Sequence, residues 1–101
     1  MNDVVSTAKK FVDAVRHSGV FVSNASIFGS YAKGNATNAS DIDVCIVSPQ
    51  FGKDYIGEMV SLRKIALGFD SRIEPIPLTP KDLKDPYSTL ASEIRKYGIT
   101  I

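Results

Sequence analysis

The spacing of apolar residues alternates along this chain between the helical and the strand period, which restricts it to a mixed α/β architecture. Val4, Val5, Ala8, Phe11, Val12 and Val15 fall on one helical face, with Asp3, Lys9, Lys10, Asp13 and Arg16 elsewhere. With Asn2 as a cap and Gly19 as a left-handed stop, the spacing predicts a first helix over about 3–18. Strand formers fill 20–28 until Gly29-Ser30 breaks the run, and 30–33 allow one helical turn before Gly34. The polar loop NATNAS leads into a second strand over 41–47. Ile56, Met59, Val60, Leu62, Arg63 and Ala66 recur at helical spacing and predict a helix over about 54–67, ended by Gly68. A third strand reads over 71–76, and Pro75 and Pro77 require it to be an edge or to end early, because they lack backbone donors. Pro80 opens a short helical turn, and 88–97 form a last helix with Leu90, Ala91 and Ile94 inward and Gly98 as its stop. The expected architecture is an α/β sandwich with a small mixed sheet flanked by helices.

At 101 residues the chain is expected to form a single domain, 1–101. Twelve basic residues against eleven acidic ones leave a net charge of +1, so charge gives no broad reason to expect DNA or an anionic membrane as partner. The lone Cys45 excludes an intramolecular disulfide and any multi-cysteine metal site. No apolar stretch has signal-peptide or membrane-spanning character, which makes a cytoplasmic location the expectation.

The chemistry concentrates in FGSYAKGNATNASDIDV. Asp41 and Asp43 stand two apart at the start of a strand, so their side chains share one face while Ile42 and Val44 share the other. Two like charges on one face repel, and a divalent cation with a preference for hard oxygen ligands relieves the repulsion. The plain alternative is a pair of solvated acids, and a bare D-x-D occurs often by chance. Upstream, Gly29-Ser30 follows a strand and opens a helical turn, where free N–H groups and an unhindered backbone approach a phosphate. Alone, that pair is more commonly a turn with an N-cap serine. A phosphate cradle shortly before a carboxylate pair describes a metal–triphosphate site.

Gly29-Ser30, Gly34 and Ser40-Asp41-Ile42-Asp43 match the G-S-x₃-G-x₅-S-D-x-D pattern, so the chain resembles the DNA polymerase β-like nucleotidyltransferase superfamily, and within it a minimal nucleotidyltransferase (MNT) domain. The resemblance extends over the element order of the whole chain, including the ending Ile94-Arg95-Lys96-Tyr97-Gly98-Ile99, which is similar to the final helix and strand of such domains. It implies the polymerase β palm-like fold and a third carboxylate on a neighbouring strand. Glu74 is the candidate; Asp70 sits beside a helix stop and Asp82 beyond the prolines. An aspartate is common at that position in MNT domains, so Glu74 is a departure from the pattern.

The resemblance implies two-metal nucleotidyl transfer, with Asp41, Asp43 and Glu74 as catalytic residues and as ligands of two Mg²⁺ ions, and ATP as donor of AMP to a hydroxyl. Gly29 and Ser30 bind the outer phosphates in this reading. A lone MNT domain resembles the antitoxin of HEPN/MNT toxin–antitoxin pairs, so the expected partner is a HEPN-domain toxin whose hydroxyl accepts AMP. The alternative is a non-catalytic antitoxin that neutralises its partner by contact. Apolar candidates for such contact are Phe51, Tyr55, Ile99 and Ile101. His17 reads as a complement to the negative end of the first helix, Cys45 as a core thiol, and Arg63 and Lys64 as an exposed helix edge. Tyr31 and Lys33 touch either the nucleotide or solvent, and Arg72 either contacts phosphate or balances Glu74.

Overall fold

Two helices cover one face of a four-stranded sheet and two cover the other in the computed structural model, which describes residues 2–101. The elements run α1 (Asn2–His17), β1 (Asn24–Phe28), α2 (Ser30–Lys33), β2 (Ile42–Val47), α3 (Tyr55–Ala66), β3 (Ile73–Leu78), α4 (Pro80–Leu83), α5 (Thr89–Tyr97) and β4 (Ile99–Thr100). The sheet order is β3-β2-β1-β4, with β1 antiparallel to both its neighbours and β2 parallel to β3. The sheet is therefore mixed, as expected.

Alternation sorts the strand side chains onto two cores. Ala25, Ile27, Ile42, Val44, Ile46 and Ile73 face α1 and α3, where Ala8, Phe11, Val15, Leu62 and Ala66 meet them. Phe28, Cys45 and Val47 face the opposite way and pack with Ile94 of α5, bordered by Ile76, Leu78, Leu83 and Leu90. Asp43 and Glu74 have the parity of this second face and lie at the ends of their strands where the apolar packing stops.

Polar side chains set the helix starts. Asp54 accepts from the Gly57 N–H and Ser88 from the Ala91 N–H. Thr79 and Asp82 form a reciprocal capping box around α4. Helix α1 begins at Asn2, so the start lies one residue earlier than expected; the cap expected from Asn2 lies outside the described side chains. The first strand is shorter than its run of strand formers because β2, its partner, ends at Val47; the Ser23 N–H, bonded to the Val47 carbonyl at 2.9 Å, marks the limit of pairing.

The two prolines place β3 at the edge. Ile42 of β2 and Ser48, the residue after it, donate to the Arg72 and Leu78 carbonyls, so the even-numbered residues of β3 turn their backbone groups toward β2. Pro75 and Pro77 fall on the odd positions, where the missing N–H faces outward and costs no ladder bond. The strand therefore runs on to Leu78 rather than stopping at the prolines.

Three expected contact residues are used internally. Phe51 is buried in the core, Ile99 pairs with Ile27 in the sheet, and Ile101 packs against the first core. Apolar side chains that are exposed instead include Ile56, Val60 and Leu67 along the outer face of α3, together with Tyr55. Among the described residues no helix is long and apolar enough to cross a membrane.

Candidate functional site

The carboxylates gather where β2 begins. Asp41 is exposed just before the strand and Asp43 is half-buried within it, with buried Ile42 and Val44 on the other face. Across the parallel pair Asp43 stands in register with Glu74, and across the antiparallel pair with Phe28, the residue before Gly29. Neighbouring strands lie about 4.8 Å apart, so Asp43 and Glu74 are side by side on one face. Burial, then the charges of Asp41, Glu74 and Glu93, push the Asp43 carboxyl above the usual carboxylate range. Glu93, on α5, is a fourth acid at this site that strand and turn patterns give no means of finding.

Gly29 is fixed by two constraints. Its backbone has φ 72° and ψ −149°, a conformation that side chains of ordinary handedness avoid. A Cβ there would also collide with the Asp43 Oδ2 atom. The glycine thus reserves room for the carboxylate it faces, and the need for it arises within the protein as well as from any phosphate. Ser30 is the first residue of α2, not its cap, because Gly29 occupies the cap position without a side-chain hydrogen bond. The first N–H groups of a helix lack intrahelical acceptors, so the turn keeps donors for an anion. Gly34 closes α2 in the left-handed conformation, and Ser40 ties the return loop, its hydroxyl accepting from the Thr37 N–H at 2.8 Å.

The proposed third carboxylate has a partner that sequence reading missed. Arg63 of α3 brings Nη1 to 2.7 Å from Glu74 Oε1 and donates to the Ile73 carbonyl at 2.8 Å. Arg63 is therefore not a free helix edge. Among the described residues no three His, Cys, Asp or Glu side chains converge as a ready metal site. The competing acids have other duties: Asp70 forms a two-pronged pair with Arg72, at 3.1 Å and 2.8 Å, and Asp82 serves the α4 cap. Arg72 balances Asp70 rather than Glu74, and its Nη1 reaches the Tyr31 hydroxyl at 3.1 Å. Lys33 is exposed but not free for a base, since it pairs with Glu93 at 2.6 Å and lies over the Tyr97 ring.

The remaining side chains match their plain readings. Burial pushes the Cys45 thiol up to about 12, which keeps it protonated and unreactive. His17 Nδ1 bonds the Asp13 carbonyl at 2.7 Å in the last turn of α1.

The donor set suits a hard divalent cation. Asp43 feels the charges of three other acids, the oxygens are carboxylate, and Gly29 clears the space beside them. The turn before these acids leaves its first N–H groups without intrahelical acceptors.

Comparison with known proteins points the same way. The family model for the nucleotidyltransferase domain matches residues 8–97. A protein of Methanocaldococcus jannaschii described as a "putative protein adenylyltransferase" is 39% identical over 61 residues, covering 56% of this chain. The match spans 42% of that relative, under half its length. The crystal structure of a Sulfolobus solfataricus protein described as a "putative nucleotidyltransferase" is similar over 97% of this chain and 78% of its own, with a TM-score of 0.66. At 21% identity that likeness speaks for the fold alone.

Proposed function

This chain belongs to the nucleotidyltransferase domain family, and from that premise we propose that it moves AMP from ATP onto a hydroxyl of a partner protein. The observation that carries this reading is the register of Asp43 with Glu74, on the face against which the Gly29 turn is packed. It puts two carboxylates and the Gly29 turn at one end of the sheet, with Asp41 beside them. The relative described as an adenylyltransferase of proteins supports the choice of acceptor.

In this reading the Gly29 and Ser30 backbone and the Ser30 hydroxyl bind the outer phosphates and orient the α-phosphorus toward the acceptor. Asp41, Asp43 and Glu74 would hold Mg²⁺, two ions per site, which would screen the triphosphate and acidify the attacking hydroxyl. The acceptor oxygen bonds to the α-phosphorus, the bond to the β-phosphate oxygen breaks, and pyrophosphate leaves. In this reading Glu74 would accept the acceptor's proton. We further propose a HEPN-domain toxin as partner, which makes this chain the antitoxin of the pair.

The ion pair between Glu74 and Arg63 favours a second reading, a module that neutralises its partner by contact alone. One experiment separates the two. The protein is incubated with labelled ATP, Mg²⁺ and a HEPN partner, and both chains are weighed by mass spectrometry before the partner's ribonuclease activity is measured. Transfer predicts a gain of one nucleotide on the partner that Asp41→Asn, Asp43→Asn abolishes together with protection. Full protection by the double variant without ATP would overturn the enzymatic reading.

A further inference from the structure

We propose that Arg63 is a positioning residue that holds Glu74 in an ion pair until a divalent cation competes for it. The inference rests on the nucleotidyltransferase reading of the site, and it concerns a residue to which the family pattern assigns no role here.

Arg63 comes from the wrong side of the sheet. Helix α3 packs on the face opposite to Asp43 and Glu74, as its buried Leu62 and Ala66 in the first core show. The Arg63 side chain therefore reaches its partner around the open edge of β3. Its two terminal nitrogens donate to the Ile73 carbonyl at 2.8 Å and the Ser71 carbonyl at 3.5 Å. Both are odd positions, whose backbone groups face away from β2, so the guanidinium is anchored to edge carbonyls that no strand satisfies. From that anchor it pairs with Glu74 at 2.7 Å.

Anchor and partner differ in mobility. The guanidinium is held by the backbone through a rigid fork of donors, whereas Glu74 keeps its side-chain torsions. Both side chains are well exposed, 36% for Arg63 and 42% for Glu74, so solvent screens the pair and its separation is cheap. Without a cation, pairing with Arg63 neutralises one of the acids crowded around Asp43. When a cation is held by Asp41 and Asp43, Glu74 gains a second positive partner and is shared between the two. Arg63 then sets the occupancy of the third ligand and, with it, the apparent affinity of the site.

The test is a double-mutant cycle read by cation binding rather than by turnover. Mn²⁺ affinity is measured by electron paramagnetic resonance, with a non-hydrolysable ATP analogue present, for wild type, Arg63→Met, Glu74→Gln and both together. Arg63→Met keeps the apolar stem and removes the charge. It is expected to bind Mn²⁺ roughly two- to fivefold more tightly, the scale of one exposed ion pair. Glu74→Gln is expected to weaken binding and to erase the effect of Arg63→Met. Thermal unfolding of each variant shows that it is folded, and Arg63→Gln, which also removes the charge, serves if Arg63→Met is not. Wild-type binding that is lost in Asp43→Asn but unchanged in the folded Arg63 variant overturns the positioning role alone. An effect of Arg63→Met that persists in Glu74→Gln also overturns it. Absence of Mn²⁺ binding in wild type overturns both this inference and the reading of the site on which it rests.

Discussion

At the scale of single residues, the tightest constraint in the molecule links Gly29 to Asp43. A glycine before a helical turn is usually explained by the turn, yet here the missing side chain leaves space for a carboxylate on the adjacent strand. Gly29→Ala is therefore expected to do two kinds of damage. The backbone strain costs about 1–3 kcal/mol, and the methyl group displaces Asp43 from its place beside the turn. Ser30→Ala removes one hydroxyl from a residue that caps nothing, so it should leave stability nearly unchanged while weakening triphosphate binding. Thermal unfolding and calorimetric titration with an ATP analogue measure the two effects separately. Equal stability of Gly29→Ala and wild type would remove the packing argument.

At the scale of elements, β3 is the informative one. Its edge is protected by two prolines that have no N–H to offer and by Arg63, which occupies the carbonyls of Ser71 and Ile73. An exposed strand with free donors and acceptors is a template for pairing with another chain. Pro75→Val with Pro77→Val returns two outward N–H groups to this edge. The double variant is expected to self-associate, with a mass in light scattering that rises with concentration. Each change should also cost the monomer about 0.4–1 kcal/mol through the greater freedom of its unfolded chain. A variant that stays monomeric at all concentrations would show that the edge is guarded by something other than the prolines.

At the scale of the whole molecule, two carboxylates pull stability in opposite directions with pH. The Arg72 hydrogen bonds hold Asp70 below the usual carboxylate range, so its contribution is present above that range and is lost as pH falls through the lowered value. Burial and neighbouring acids raise Asp43, so its contribution is present below that range and is lost as pH rises through the raised value. At neutral pH without divalent cations, charged Asp43 is thus a net burden on the fold. Asp43→Asn is expected to raise Tm there by roughly 2–4 °C, the response to about 0.5 kcal/mol in a chain of this size after solvent screening is allowed for. The gap should close in acid, where Asp43 is protonated in both the folded and the unfolded chain. Added Mg²⁺ should stabilise wild type and not the variant. Scanning calorimetry across pH, with and without Mg²⁺, checks all three signs, and a lower Tm for Asp43→Asn at neutral pH would refute the burden.

Local order was legible in the sequence because its causes are local. Helical period, capping residues and the parity of Asp41 and Asp43 are properties of neighbours along the chain, and so is the outward parity of Pro75 and Pro77 once β3 is placed. The spacing from Gly29 to Asp43 likewise carried the family, and it was the resemblance to that family that singled out Glu74. What tertiary structure alone decided is who meets whom at long range. Arg63 and Glu74 are joined around a sheet edge, Lys33 and Glu93 between α2 and α5, and Arg72 and Tyr31 across the mouth of the site. No period or spacing encodes those meetings, since each depends on the relative placement of elements that pack through other residues. The same holds for Phe51, Ile99 and Ile101, whose apolar character was plain in the sequence. Whether an apolar side chain faces a core, a sheet neighbour or solvent is settled only when the chain closes on itself and removes that surface from water.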